Sequence, residues 1–139
     1  MKVVAIVLVL VLVLPMFLAA QTPPPGRVSA DALKQRLDRG DKVLVIDVRE
    51  NEEVAAGSIP RAVHIPMHKL ATRMRDIPKD TEIVFLCAAG VRSAQAAEMF
   101  RKNGYRATQY CSMEDWDARR FPHARVKTPS AGTITPVEK

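Results

Sequence analysis

Two short runs in the middle of the chain, residues 43–46 and 83–86, are apolar at every position. A strand that faces solvent on one side alternates polar and apolar residues, so continuous runs of this kind predict strands that are covered on both faces. Segments with helical spacing lie before and after these runs, and the helical segments before residue 60 end at Gly40 and Gly57. Strands that alternate with helices predict an α/β fold with a mostly parallel central sheet and helices on both faces.

The N-terminal segment is more apolar than this core. Residues 3–14 contain no polar side chain, follow Lys2, and precede the small residues Ala19 and Ala20. This pattern is typical of a secretory signal peptide over residues 1–20. The alternative is an uncleaved anchor, since residues 3–20 would span about 27 Å as a helix. Both interpretations predict export, with the protein periplasmic or secreted, or membrane-anchored with its folded domain outside the cytoplasm.

Composition divides the remaining chain into three parts. Residues 21–27 contain three prolines and form a predicted linker, residues 28–120 form the folded domain, and residues 121–139 form an irregular C-terminal tail. The formal net charge is +6, but the basic residues are scattered and the chain has one Trp, two Tyr and four Phe. The sequence therefore predicts no nucleic-acid partner, because few aromatic side chains are available to stack on bases.

The chemistry is concentrated after the second apolar run, where Cys87 precedes a loop and a predicted helix that starts at Ser93. Successive backbone N–H groups that lead into a helix N-terminus bind anions and favour a thiolate, so Cys87 is the predicted nucleophile. Gly90 allows the loop to adopt positive φ, and Arg92 either seals the loop or reaches a bound anion. The competing interpretation is a buried core cysteine before an ordinary turn. The predicted substrate-binding residues are Ala88, Ala89, Gly90, Val91 and Arg92.

Residues 87–92 resemble the active-site loop of the rhodanese (sulfurtransferase) family, whose pattern is Cys-x-x-Gly-x-Arg. Four further stretches match the family's order: the Asp-Val-Arg strand end at 47–49, the Gly-His-Ile-Pro-Gly-Ala-like segment at 57–62, the turn at 103–105 and the terminal helix with its Trp at 113–116. The similarity runs from about residue 28 to residue 119, and it implies the family's three-layer fold.

The resemblance also implies a mechanism. Cys87 would accept a sulfane sulfur from a small anionic donor, such as thiosulfate or polysulfide, as a persulfide held by the loop amides. A thiol, cyanide or a protein would then take the sulfur, with no metal and no organic cofactor. Asp47 and Arg49, at the end of the first apolar run, would either contact the active-site loop or form a structural ion pair.

Several residues depart from the family's pattern. Ser58 stands where His is usual, and Arg61 stands where Gly is usual. Ala88 and Ala89 leave the loop without the cationic or hydroxyl side chains of many thiosulfate-using members, so a dianionic donor would depend on the loop amides and Arg92.

Cys111 is the most informative departure, because the family commonly has Gly-Gly at residues 111–112. The family's sheet would place the strand before Cys111 beside the strand that ends at Cys87, with both thiols at one edge. Three interpretations stay open: a resolving thiol, a static disulfide, or an unpaired thiol. The first two suit exported proteins, in which cysteines commonly pair.

Other functions remain as alternatives. A non-catalytic binding or redox module would use the same fold and the Cys87 and Cys111 pair. A phosphatase or arsenate-reductase-like enzyme is disfavoured because its loop usually has five residues between Cys and Arg, and four lie between Cys87 and Arg92. Pro66 argues against a helical metal site at His64 and His68. The acids at 52–53 are interpreted as solvent-facing residues at a helix start.

Overall fold

The computed structural model describes residues 25–138, and the predicted signal segment lies outside that range. In chain order the elements are β1 (Gly26–Arg27), α1 (Ala30–Arg39), β2 (Leu44–Asp47), α2 (Asn51–Val54), β3 (Val63–His64), α3 (Met67–Arg73), β4 (Ile83–Cys87), α4 (Val91–Lys102), β5 (Thr108–Ser112) and α5 (Met113–Ala118). Among these described residues, no helix is long and apolar enough to cross a membrane.

The five strands form one sheet in the order β1-β5-β4-β2-β3, and every neighbouring pair is parallel. Strands β2 and β4, which contain the two apolar runs, are fully buried and lie side by side within the sheet. The prediction of a central parallel sheet is therefore confirmed. All carboxyl ends of the strands meet at one edge, which is where open α/β sheets bind ligands.

Alternation along the strands builds a separate core on each face of the sheet. Leu44, Ile46 and Phe85 pack with residues of α3 and α4, whereas Val45 and Val84 pack with residues of α1 and α5. The three-layer arrangement expected from the sequence is confirmed, with helices on both faces.

The ends of α1 follow the local rules that the sequence suggested. The Ser29 hydroxyl accepts a hydrogen bond from the Ala32 N–H at 3.2 Å, which satisfies one of the free donors of the first turn. At the other end, Gly40 adopts a φ of 84°, a left-handed conformation that closes the helix at little cost for glycine.

Two boundaries differ from those expected from the sequence, and both bear on the functional edge. Gly26 and Arg27, assigned to the linker by composition, pair with Gln109 and Tyr110 as the edge strand β1. Strand β5 continues through Ser112, so Cys111 lies within a strand and not after it. Pairing with a neighbouring strand decides both boundaries, and a tertiary contact of this kind leaves little trace in local sequence.

Residues 121–138 run back over the domain. They form no helix, and their only ladder contacts among the described residues are isolated bridges from Ala124 to Ser58 and from Lys127 to Val63. Ile134 is 3% exposed and belongs to the core on the α4 side of the sheet. Arg61, which has a φ of 68°, donates hydrogen bonds to the Val137, Leu37 and Asp41 carbonyls. The segment is thus irregular in secondary structure but packed.

Candidate active site

Strand β4 carries Cys87 to the functional edge of the sheet. The strand is buried along its whole length, and Cys87 is its last residue, paired in register with Ser112 of β5. Cys87 itself is 1% exposed. The chain then turns through residues 88–90 and enters α4 at Val91, so the thiol lies directly against the start of a twelve-residue helix.

The thiol is held by groups at the start of α4. The backbone N–H groups of Gly90 and Ser93 point to the Cys87 sulfur at 3.1 and 3.3 Å, and the Ser93 hydroxyl oxygen lies 3.3 Å from the same atom. These N–H groups have no partner within the helix, and the positive end of the helix dipole favours a negatively charged sulfur. The arrangement suits a nucleophilic thiolate and the anion that forms on it.

Gly90 gives the loop its shape. Its φ of 102° is left-handed, a conformation that L side chains rarely adopt. A methyl group added there would meet the Ser112 side chain at 3.9 Å, which is ordinary contact. The requirement for glycine therefore comes from the backbone conformation, which turns the chain from the loop into α4.

The remaining loop residues face outward. Ala88 is partly exposed, its carbonyl accepts the Glu114 N–H at 3.1 Å, and Ala89 is exposed. Val91 is 67% exposed, which is unusual for a large apolar side chain in this domain. The side chains of these residues therefore form the outer rim of the loop, while the N–H groups of Gly90 and Ser93 form its inner surface.

Arg92 ties the start of α4 to α2. Its guanidinium makes two hydrogen bonds to the Glu53 carboxylate, both at 2.7 Å. The pair lowers the pKa of Glu53 to about 2 and raises the pKa of Arg92, chiefly through these hydrogen bonds. The two roles considered for Arg92, sealing the loop and reaching a bound anion, stay predictions, and the structure adds the ion pair with Glu53.

The two acids at 52–53 lie in the first turn of α2 as predicted, and Glu52 is exposed, but the interpretation of Glu53 as solvent-facing is wrong. Besides its pair with Arg92, the Glu53 carboxylate accepts the Glu50 N–H at 2.9 Å as part of a capping box for α2. The spacing from Glu50 to Glu53 could have suggested the capping box, but a contact across 39 residues of chain has no local signal.

Asp47 and Arg49 form a buried structural ion pair. The Asp47 carboxylate receives bonds from the Arg49 guanidinium at 2.7–3.1 Å and from the Ser58 hydroxyl at 2.5 Å. Arg49 also donates to the carbonyls of Glu53 and Gly57 at 3.2 and 2.8 Å. Neither side chain has a hydrogen bond to residues 88–92 in the described part of the chain; the pair fixes α2 and thereby Glu53.

Cys111 does not meet Cys87. It pairs in register with Leu86, one position before Cys87, so its side chain belongs to the core on the α1 and α5 side of the sheet, whereas Cys87 belongs to the other core. Burial raises the pKa of Cys111 to about 11. Both cysteines are free in this structure. The expectation of a common sheet edge holds for the backbones, but a direct disulfide would require the strands to rearrange.

The two histidines considered as metal ligands, His64 and His68, have different protein partners. His64 donates its Nε2 proton to the Arg49 carbonyl at 2.7 Å, and His68 lies 3.4 Å from the Glu50 carboxylate. Within residues 25–138, no cluster of three His, Cys, Asp or Glu side chains could hold a metal ion.

A family model described as "Rhodanese-like domain" matches residues 29–118. The chain belongs to the rhodanese family. A sulfurtransferase of Allochromatium vinosum is 41% identical over 80 residues, which are 58% of this chain and 75% of that protein. The expectation of a rhodanese-type sulfurtransferase is confirmed at the level of the family.

Solved structures agree with this assignment. A rhodanese-related protein from Thermoplasma volcanium superposes with a TM-score of 0.64 at 26% identity, covering 71% of this chain and 97% of that one. The human single-domain sulfurtransferase superposes with a TM-score of 0.63 at 28% identity, covering 70% and 97%. The rhodanese fold therefore accounts for nearly all of the described domain.

Sequence reasoning missed one residue of the rhodanese loop. Ser93 lies one position beyond the predicted binding residues, yet its N–H and hydroxyl both contact the Cys87 sulfur, and the hydroxyl also lies 2.9 Å from the Cys111 carbonyl. Its position in the first turn of α4 was the available signal, because N–H groups there are free to bind a ligand.

Proposed function

We propose that this rhodanese domain transfers a sulfane sulfur through a persulfide on Cys87. The observation that carries the proposal is the thiol at the end of β4, which receives backbone hydrogen bonds from Gly90 and Ser93 at 3.1 and 3.3 Å. Preorganised N–H groups of this kind stabilise charge that develops on a buried atom.

With thiosulfate as donor, the Cys87 thiolate attacks the outer sulfur. A sulfur–sulfur bond forms to Cys87, the sulfur–sulfur bond of thiosulfate breaks, and sulfite leaves with the electron pair. The enzyme then carries a persulfide anion, and the loop N–H groups that hold the thiolate are the donors nearest to it. A thiophilic acceptor such as cyanide or a thiol attacks the outer sulfur, which regenerates the Cys87 thiolate.

Ser93 is suited to both states of the sulfur. Its hydroxyl lies 3.3 Å from the Cys87 sulfur and 3.1 and 2.9 Å from the carbonyls of Gly90 and Cys111. A protonated thiol can donate to the Ser93 oxygen while the Ser93 hydroxyl donates to a carbonyl. A thiolate instead accepts the two N–H bonds, so proton loss requires no rearrangement of the loop.

Intact-mass measurement of the reduced protein, before and after incubation with thiosulfate or polysulfide, tests the proposal. We expect a gain of one sulfur atom in the wild type and in Cys111→Ala, and none in Cys87→Ser. The Cys111→Ala variant is the matched control because it removes the other thiol from the opposite face of the sheet. Sulfur loading that survives in Cys87→Ser would contradict the assignment, and a wild-type mass lower by two hydrogens would indicate the redox-module alternative.

We also propose that the domain works outside the cytoplasm, in the periplasm or as a secreted protein. The support is the apolar N-terminal segment after Lys2 and the small residues that follow it. Expression of the full chain in a Gram-negative host, followed by fractionation and intact-mass analysis, should give a periplasmic protein that lacks about twenty N-terminal residues. A full-length protein in the membrane fraction would indicate the anchored form, and a cytoplasmic full-length protein would contradict export.

A further inference from the structure

A second arginine lies at the functional edge, on the opposite side of the loop from the Arg92 pair. Arg27 is the last residue of β1, and its guanidinium donates to the Ser112 hydroxyl at 3.1 Å. Ser112 pairs in register with Cys87, and its side chain is the nearest neighbour that a methyl group on Gly90 would meet. Arg27 is therefore separated from the thiol cradle only by Ser112 and Gly90.

The charge on Arg27 differs from that of the other arginines around the loop. Arg92 is neutralised by Glu53, and Arg49 is neutralised by buried Asp47. Within residues 25–138, no carboxylate lies within 4.0 Å of the Arg27 side chain. Glu114 and Asp115 are the acids nearest to Ser112 along the chain. Glu114 is exposed, and the Asp115 carboxylate is engaged by the Ala30 N–H at 2.7 Å and by Arg119.

Arg27 is also available to a ligand. The residue is exposed, and its hydrogen bond to Ser112 uses one of the five N–H donors that a guanidinium carries. Ser112 caps α5 by accepting the Asp115 N–H at 3.3 Å, so the hydroxyl that holds Arg27 is itself fixed. One hydrogen bond thus positions the guanidinium, and its other N–H donors can bind an anion in bidentate geometry.

We propose that Arg27 recognises the charged end of dianionic sulfur donors of the thiosulfate class. This inference rests on the proposed sulfur transfer at Cys87. Because Arg92 is paired with Glu53, the loop offers mainly backbone N–H dipoles to the reacting sulfur. Arg27 supplies an unpaired positive charge that attracts the sulfonate end of thiosulfate. It acts as a specificity residue at the rim, because its contact with the loop runs through Ser112.

Two donors that differ in charge test this role. Thiosulfate carries two negative charges, whereas the methanethiosulfonate anion carries one and loses its outer sulfur by breaking the same kind of bond. We expect Arg27→Gln to lower kcat/KM for thiosulfate by about three- to tenfold at low ionic strength, and for methanethiosulfonate by less than about twofold. The loss for thiosulfate should shrink as salt is added, because exposed charges are screened.

Two further variants separate charge at this position from other effects. Arg27→Lys keeps the charge and should retain most of the preference for thiosulfate. Arg106→Gln removes the same charge from an exposed position two residues before β5, at the opposite edge of the sheet, and should leave both donors unchanged.

The outcomes distinguish this inference from the proposed function. Equal losses for the two donors in Arg27→Gln, no loss for either, or an equal effect of Arg106→Gln would overturn the role of Arg27 while leaving sulfur transfer intact. Failure of wild-type Cys87 to acquire sulfur from either donor would overturn the proposed function itself.

Discussion

Cys87 and Cys111 occupy neighbouring parallel strands one register position apart, yet their surroundings differ completely. The Cys87 sulfur accepts two backbone N–H groups at the start of α4, whereas the Cys111 sulfur lies in an apolar core and is 3.7 Å from the Ser112 carbonyl oxygen. Because side chains of a strand alternate between faces, a single step of register decides whether a thiol meets a helix N-terminus or a hydrocarbon core. Residue type and sheet edge alone therefore do not define a reactive cysteine.

Alkylation should separate the two thiols most clearly. The two cysteines are equally buried, so the contrast comes from their surroundings and not from exposure. Burial in the apolar core raises the pKa of Cys111 to about 11, so only about one Cys111 thiol in a thousand is ionised at pH 8. We expect iodoacetamide at pH 8 to modify Cys87 at least about a hundredfold faster than Cys111 in the native protein. Peptide mapping after timed exposure measures both rates. Similar alkylation rates of Cys87 and Cys111 in the native protein would contradict this difference between the two thiols. In denaturant, where the fold is lost, the two rates should be similar, and this serves as the control.

The geometry of the loop is the next test, because a left-handed residue turns the chain into α4 and so places the Ser93 N–H against the Cys87 sulfur. Gly90→Ala should cost about 1–2 kcal/mol in backbone strain and slow sulfur loading by about tenfold or more, since relief of the strain moves the start of α4, with the Ser93 N–H, relative to the loop. Gly40→Ala is the matched control, with a φ of 84° and open space around the added methyl group. It should lower the thermal midpoint similarly and leave loading unchanged. A Gly90→Ala variant that loads at the wild-type rate would show that the N–H bond to the sulfur is dispensable.

A smaller effect is expected from Glu53, whose carboxylate pairs with Arg92 at the start of α4. Its folded pKa of about 2 lies below the ordinary value of 4.5, so its carboxylate stabilises the fold fully above that ordinary value and loses the effect as pH falls to about 2. Both partners are about a third exposed, so solvent reduces the contribution of the pair to about 1 kcal/mol.

Denaturant unfolding of Glu53→Gln and wild type at several pH values measures this contribution. The variant should be less stable at pH 7, and the two curves should converge between pH 4.5 and 2. Glu98→Gln removes a carboxylate that pairs with Arg101 on α4 and serves as the comparison for sulfur loading, which it should not alter. A difference between Glu53→Gln and wild type that stays constant with pH would show that the carboxylate charge does not stabilise the fold.

The sequence by itself determined the two central strands, the ends of α1 and the centre of the candidate site. Fully apolar runs specified β2 and β4 because only strands covered on both faces are apolar throughout. Capping residues specified both ends of α1, and the Cys-x-x-Gly-x-Arg spacing marked the loop after β4. These features are local, since a helix end or a tight loop depends on residues that are close in the chain.

Tertiary structure alone decided how distant residues share the site. The register of β5 against β4 turned Cys111 away from Cys87, and Glu53 reached Arg92 across 39 residues of chain. Pairing with β5 drew Arg27 out of the linker and set it beside Ser112. Each of these contacts depends on which strands become neighbours and how they align, and that choice follows from burying both faces of the whole sheet at once.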